Sequence, residues 1–336
     1  MPTHPNSAFE PICIHISTFI NHIKQLGIMK KNKSFLFLLL LMLASFSPDI
    51  DYPRGDVDKT GEVNVGDVAT LIDYLLYGRW SDEPEVPSTG TTFTVNGVSF
   101  TMIDVEGGTF MMGATDEQGN DYYQNADMRT AMPVHEVTLS SFRIGQTEVT
   151  QALWEAVMGY NLSRFTGNPQ RPVERVNWNR CQDFIARLNE LTGKTFRMLT
   201  EAEWEFAARG GIHSKGYKYA GSDNCYDVAW VYKNAADMTH SVGLKRPNEL
   251  GLYDMSGNVA EWVNDVYGPY SSEPQTNPTG PEPTGTNPRR VVRGGHFQML
   301  NPSIYGDARV AYRNEPCVQS VSDDYIGLRL AMDADQ

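Results

Sequence analysis

GLYDMSGNVAEW, residues Gly251 to Trp262, sets a carboxylate at Asp254, a Ser256-Gly257-Asn258 turn, a second carboxylate at Glu261 and a large aromatic at Trp262. Carboxylates so spaced across a Gly-Asn turn do not share a face of one helix or strand. They fold back on each other, and with backbone carbonyls they make the hard-oxygen shell that calcium takes. The alternative is a tight turn with Trp262 in the core and both carboxylates in water.

Working outward, the stretch is followed by Arg290-Val291-Val292-Arg293-Gly294-Gly295 and preceded by Val105-Glu106-Gly107-Gly108-Thr109-Phe110-Met111-Met112-Gly113, Thr147-Glu148-Val149-Thr150, Pro172-Val173 with Val176-Asn177-Trp178, and Leu199-Thr200-Glu201-Ala202-Glu203-Trp204-Glu205. This ordered set, from about Phe93 to Leu330, resembles the formylglycine-generating enzyme family, also called the sulfatase-modifying factor family. The resemblance implies a mixed α/β fold poor in regular secondary structure, a variant of the C-type lectin-like fold. It also implies calcium held by the side chains of Asp254 and Glu261 with the carbonyls of Gly257 and Val259.

Composition bounds the partners. The 336 residues are 40% hydrophobic and 11% aromatic, enough for a large core, and the net charge is -13. Such a balance repels phosphate backbones, so no nucleic-acid partner is expected, and cations and neutral or basic ligands are favoured. Met29-Lys30-Lys31-Asn32-Lys33 ahead of the apolar run Phe35 to Leu43 reads as a secretory signal, too short to span a bilayer. The expected organisation is a mis-assigned extension over 1–28, a signal peptide over 29–47, a small calcium-binding segment over 48–78, a Pro- and Ser-containing linker over 79–92, and the main domain over 93–332. Export to the periplasm, cell surface or medium follows, without a membrane span after cleavage. Cys181, Cys225 and Cys317 then remain, an odd number that closes at most one disulfide.

The small segment is Asp56-Val-Asp58-Lys-Thr60-Gly61-Glu62-Val-Asn64-Val-Gly-Asp67, with oxygen side chains at loop positions 1, 3, 5, 9 and 12, Glu62 at position 7 and Gly61 at the sharp turn. It is an EF-hand-like calcium loop. Through the following Val68 to Leu76 it is similar to one dockerin repeat, which implies a cohesin-like partner, although dockerins carry two repeats and only one is present.

In the main domain, alternating apolar residues about Asn96-Gly97 predict a hairpin over Phe93 to Met102, with strands at Gly108 to Met112, Val134 to Leu139 and Phe142 to Ile144. Thr150 caps a helix from Gln151 to Met158. A second helix runs from Trp178 to Leu191 and stops at Gly193. A third starts at the Thr200–Glu203 capping box with Leu199 and Trp204 as a hydrophobic staple. Gly268 to Pro288 is a long Pro- and Gly-rich loop, of the kind that borders a site or is mobile.

The chemistry the family uses is where this sequence departs. The resemblance implies two cysteines shortly after the paired glycines, holding copper(I) as thiolates. Here the segment reads His296-Phe297-Gln298-Met299-Leu300-Asn301-Pro302-Ser303-Ile304-Tyr305-Gly306-Asp307, with Met299 at the first position and Ile304 or Tyr305 at the second. No catalytic residue is assigned, and copper is not expected. The frame persists in Arg309, Ala311, Arg313 and the closing run Ile326 to Leu330. What results is an exported pseudoenzyme whose binding surface comprises His296, Met299, Tyr305, Arg309, Tyr312, Arg313, Asn314 and Tyr325, and whose ligand is a polypeptide or a glycan. The alternatives are an oxidoreductase with a replaced metal site, and a structural cell-surface module.

Overall fold

The computed structural model describes residues 89–116, 130–299, 308–314 and 316–335. The chain divides into units Met1–Gly55 and Asp56–Gln336, and every described residue belongs to the second. The signal segment, the EF-hand loop with Asp56, Asp58, Thr60, Glu62 and Asp67, residues 79–88 of the expected linker, and Ile304 and Tyr305 lie outside the described residues, while Gly90 to Thr92, expected in that linker, belong to the first strand.

The described chain is mixed α/β with short elements and more sheet than helix. Asn96 and Gly97 both take positive φ (47° and 83°), which turns β1 (Gly90–Val95) back onto β2 (Val98–Val105). These strands open a five-stranded sheet continued by β5 (Phe142–Gly145), β12 (Leu330–Asp333) and β6 (Phe196–Met198). A four-stranded sheet runs β10 (Cys317–Val318), β9 (Arg289–Arg293), β7 (Ala260–Val266), β11 (Ile326–Leu328). The third sheet is β3 (Gly108–Met112), β4 (His135–Leu139) and β8 (Gln275–Thr276).

Two details differ from the sequence reading. The closing run Ile326 to Leu330 is not one strand: Leu328 ends β11, Leu330 begins β12, and the chain changes sheets at Arg329, whose side chain is fully buried. The long loop from Gly268 is also stitched down at Gln275 and Thr276, which pair in parallel with Val137 and Thr138.

Helix α1 (Gln151–Met158) starts where the Thr150 hydroxyl accepts from Leu153 N, and α2 (Trp178–Thr192) where Asn177 accepts from Arg180 N. Glycines in the left-handed region end both, at Gly159 and Gly193. The two helices face each other through Trp154 and Phe184, stacked at 4.9 Å, in a core shared with Met198, Trp262 and Leu328. Helix α3 (Glu201–Ala208) begins at the anticipated capping box, and all eight of its residues are buried. A helix buried on every side has no solvent face for its glutamates, so each must find a partner inside.

Candidate functional site

Glu203 takes Arg197, six residues back, at 2.7 Å, while Glu201 and Glu205 find arginines far along the chain. Glu201 receives Arg313 through both oxygens, Nε at 2.7 Å and Nη2 at 2.9 Å, and the Tyr270 hydroxyl at 3.1 Å. The Arg313 guanidinium lies between the Tyr267 and Tyr270 rings at 4.4 and 4.3 Å. Glu205 pairs with Arg293, accepts from Arg209 Nε at 3.0 Å and takes Gly113 N at 2.8 Å. Arg293 also donates to the carbonyls of Ala311 (3.1 Å) and Tyr312 (2.6 Å). Gly294, next to it, passes so close to Trp204 that a Cβ there would stand 3.2 Å from the indole, and its φ of +96° excludes most side chains.

The GLYDMSGNVAEW stretch does fold back, with Asp254 and Asn258 in the left-handed region at φ 57° and 58°. At Gly257 a Cβ would lie 2.4 Å from Trp230 O, so only glycine fits. Glu261 opens β7 with both oxygens engaged: Arg329 Nη2 at 2.7 Å on Oε1, and Trp204 Nε1 at 2.7 Å on Oε2. Arg329 further donates to Gly145 O (3.0 Å) and Tyr253 O (2.8 Å). Glu148 is a third buried carboxylate here, accepting from Val259 N at 3.1 Å and Asn258 Nδ2 at 2.9 Å. Burial, then the Asp254 and Glu261 charges, hold Glu148 well above the usual carboxylate range, and burial pushes Asp254 up to about 6.

Asp254 Oδ2 takes Gly243 N at 2.7 Å, while Oδ1 is buried with no hydrogen-bond partner. An orphaned carboxylate oxygen where Glu148, Asp254 and Glu261 share one arginine, Arg329, suits a hard cation. Among the described residues no three His, Cys, Asp or Glu side chains converge on one metal position. A cation here would need backbone oxygens, because both oxygens of Glu261 are already engaged by Arg329 and Trp204.

The surface after the paired glycines has a different character. His296 stacks on Tyr325 with ring centres 4.2 Å apart, and its Nδ1 accepts from Gln298 N at 3.3 Å. Burial lowers the His296 pKa to about 4, so the ring is neutral at physiological pH with its proton on Nε2. Met299 is partly buried against two small apolar clusters, one around Val228 and Ala308 and one around Ala131 and Tyr312. Arg309, Tyr312, Arg313 and Asn314, expected on this surface, are only 2%, 6%, 3% and 8% exposed and belong to the frame. Arg313 is there because Glu201 would otherwise be an unpaired buried charge. His296, Met299 and Tyr325 remain partly exposed. A cleft of about 400 Å³ lies elsewhere, between the β1–β2 turn and the Gly145 to Leu153 segment, and none of these residues lines it.

A family model described as the sulfatase-modifying factor enzyme 1-like domain matches residues 93–334. The chain belongs to this family. A formylglycine-generating enzyme of Streptomyces coelicolor is 31% identical over 299 residues, covering 69% of this chain and 89% of that one. A chaperone protein LppX of Paenibacillus barcinonensis is 35% identical over 210 residues, 47% of this chain and 70% of the other. Among solved structures, Treponema denticola variable protein 1 superposes with a TM-score of 0.63 at 30% identity, covering 75% of this chain and all of that one (100%).

The sulfatase-modifying factor frame thus rests on residues the sequence reading passed over. Glu201 and Glu205 were expected only to build a helix, Trp204 only to staple its start with Leu199, and Glu148 and Arg329 were family matches without a role. Their signal was present: carboxylates four apart flanking a tryptophan in a segment that ends Ala-Ala admit burial, and buried carboxylates require cations. Cys181, Cys225 and Cys317 form no disulfide, the first two being buried, and the segment His296 to Ala308 contains no cysteine. No described helix is long and apolar enough to cross a membrane.

Proposed function

We propose that this is an exported, calcium-stabilised member of the family, in a variant of the C-type lectin-like fold, that binds a polypeptide or glycan ligand and does not oxidise cysteine. The observation that carries the reading is Met299. It occupies the position where the family resemblance implies the first thiolate, and it packs as an apolar side chain against Val228, Ala308 and Tyr312. A thioether is a neutral, weak ligand, and copper(I) capture by this route needs two deprotonated sulfurs, so the residues present do not fit copper.

In place of a metal the face offers a stacked His296–Tyr325 pair. Aromatic plates of this kind supply large contact area at little cost in side-chain entropy. His296 presents Nε2–H as a donor. Calcium at Asp254, Glu261 and the carbonyls of Gly257 and Val259 would hold the loop beneath in place, and the Asp56 to Asp67 loop would bind a second, weaker ion.

Screening the full chain on peptide and glycan arrays, beside Tyr325→Ala, tests the binding role. Ligands retained by the wild type and lost from the variant are expected. An array with no hits, or hits that the variant keeps undiminished, overturns the assignment of this face.

A further inference from the structure

Glu174, on the stretch leading into α2, is 0% exposed. Its Oε1 accepts from Phe165 N at 2.9 Å, and its Oε2 is buried with no hydrogen-bond partner. The segment that carries it is tied to the Tyr325 loop, since Arg175 N donates to Asp323 O at 3.0 Å. Burial pushes Glu174 up to about 7, the nearby Asp324 charge acting the same way and Arg175 against it. The surroundings are acidic at the rim as well. Asp323 accepts the Tyr325 hydroxyl at 3.1 Å, and Asp237 accepts Gln298 Nε2 at 3.2 Å.

Besides Arg175, the cation of this cluster is Arg164. Arg164 pairs with Asp324 and lies 5.0 Å over the Phe165 ring, within the fields of Asp237 and Glu174. Its side chain is 54% exposed, and ion pairs so exposed are weakly held and exchange readily. Phe165 in turn meets Phe297 edge-on at 5.3 Å, and Phe165, Phe297 and Tyr325 pack in one apolar cluster beside the His296–Tyr325 stack. A guanidinium on a carboxylate and over an aromatic ring is also how a ligand's basic side chain docks.

We infer that Glu174, Asp324 and Phe165 form a subsite for a lysine or arginine side chain of a polypeptide ligand, with Arg164 as the resident stand-in that the ligand's cation displaces. This rests on the reading of the His296–Tyr325 face as a binding surface and gives that surface its ligand class. Glu174 Oε2 supplies a buried acceptor with no hydrogen-bond partner among the described residues, and an acidic body of net charge -13 favours the same partner.

The test uses the full chain and two fluorescently labelled peptides that differ only in carrying arginine or its neutral isostere citrulline, read by fluorescence polarisation. With Arg164→Ala, which uncovers the subsite, the arginine peptide should bind about tenfold or more tighter than the citrulline peptide. In the wild type, where Arg164 competes, the preference should be in the same direction and smaller. Adding Asp324→Asn, which keeps the size of a half-buried side chain and removes its charge, should abolish the preference, as should Glu174→Gln. Equal binding of both peptides that Tyr325→Ala weakens would overturn the subsite while leaving the binding face standing. Failure of Arg164→Ala to bind either peptide would also overturn it, and the face would then be judged by the arrays alone.

Discussion

Arg313 and Arg164 make the same kinds of contact in two regions of one molecule. Each guanidinium lies over an aromatic ring, and each pairs with a carboxylate. Arg313 is 1% exposed in its side chain, bound through two nitrogens to Glu201 and further anchored on Thr130 O and Gly268 O. Arg164 is 54% exposed and faces more negative charge than it neutralises. The first belongs to a lattice in which Glu201, Glu205 and Glu261 each have a buried arginine partner, so any member lost leaves an unpaired charge inside the protein. The second belongs to a face whose charges water can serve. On the proposed reading, a fold divided this way keeps its frame while the face changes its chemistry, with Met299 and either Ile304 or Tyr305 standing where the family resemblance implies thiolates.

Removing charge from each region is the sharpest way to break that contrast. Glu261→Ala strands Arg329 in the core and should cost about 3–5 kcal/mol in denaturant unfolding. Asp324→Ala on the face should stay within about 0.5 kcal/mol. Equal losses would erase the distinction between frame and face.

Calcium sharpens it next. With free calcium at about a hundred times its Kd, an ion bound at Asp254 adds about 2.7 kcal/mol. Chelator should then lower the wild-type melting temperature and leave Asp254→Ala unmoved, because the orphaned Oδ1 is the donor the ion uses. An unchanged wild-type melt would mean that Arg329 alone balances the loop.

A smaller effect isolates Asp265, one of the buried acids raised above its ordinary range. Burial first, and the Glu201 carboxylate second, push Asp265 up to about 8. An unfolded aspartate titrates near ~3.9, so between those values the native state holds a proton that the unfolded chain has released. Stability from this group is complete below about pH 4 and falls as pH rises towards about 8. Asp265→Asn keeps the acceptor for Glu201 N, which lies at 3.0 Å, and removes the slope. Its melting temperature should match the wild type at the acid end and exceed it above about pH 8; parallel curves would assign the slope to another group.

How much of this was legible in the sequence follows the same division by range. Thr150, Asn177 and Thr200 announce helix starts because a cap bonds to an amide within three residues, and Asn96-Gly97 announces its hairpin because two residues set the turn. The ionic lattice joins residues 112, 88 and 68 apart, as Glu201–Arg313, Glu205–Arg293 and Glu261–Arg329, and no local pattern declares such pairings. The burial of Arg309 and Arg313, and the change of sheet at Arg329, went unread for that reason. His296, Met299 and Tyr325 were legible as a partly exposed set because they stand where the family resemblance places its reactive segment. Glu174 was not, because its interest lies in an oxygen without a partner, which only the fold exposes.

The central claim is that the frame has outlived the chemistry. It is tested most directly by incubating the full chain with a cysteine-containing sulfatase-type peptide, copper and oxygen, and weighing the peptide by mass spectrometry. The account predicts no formylglycine above a no-protein control, and none gained on mutating Cys317. Turnover by the unmodified protein would contradict it and would place a working metal site at His296 and Met299.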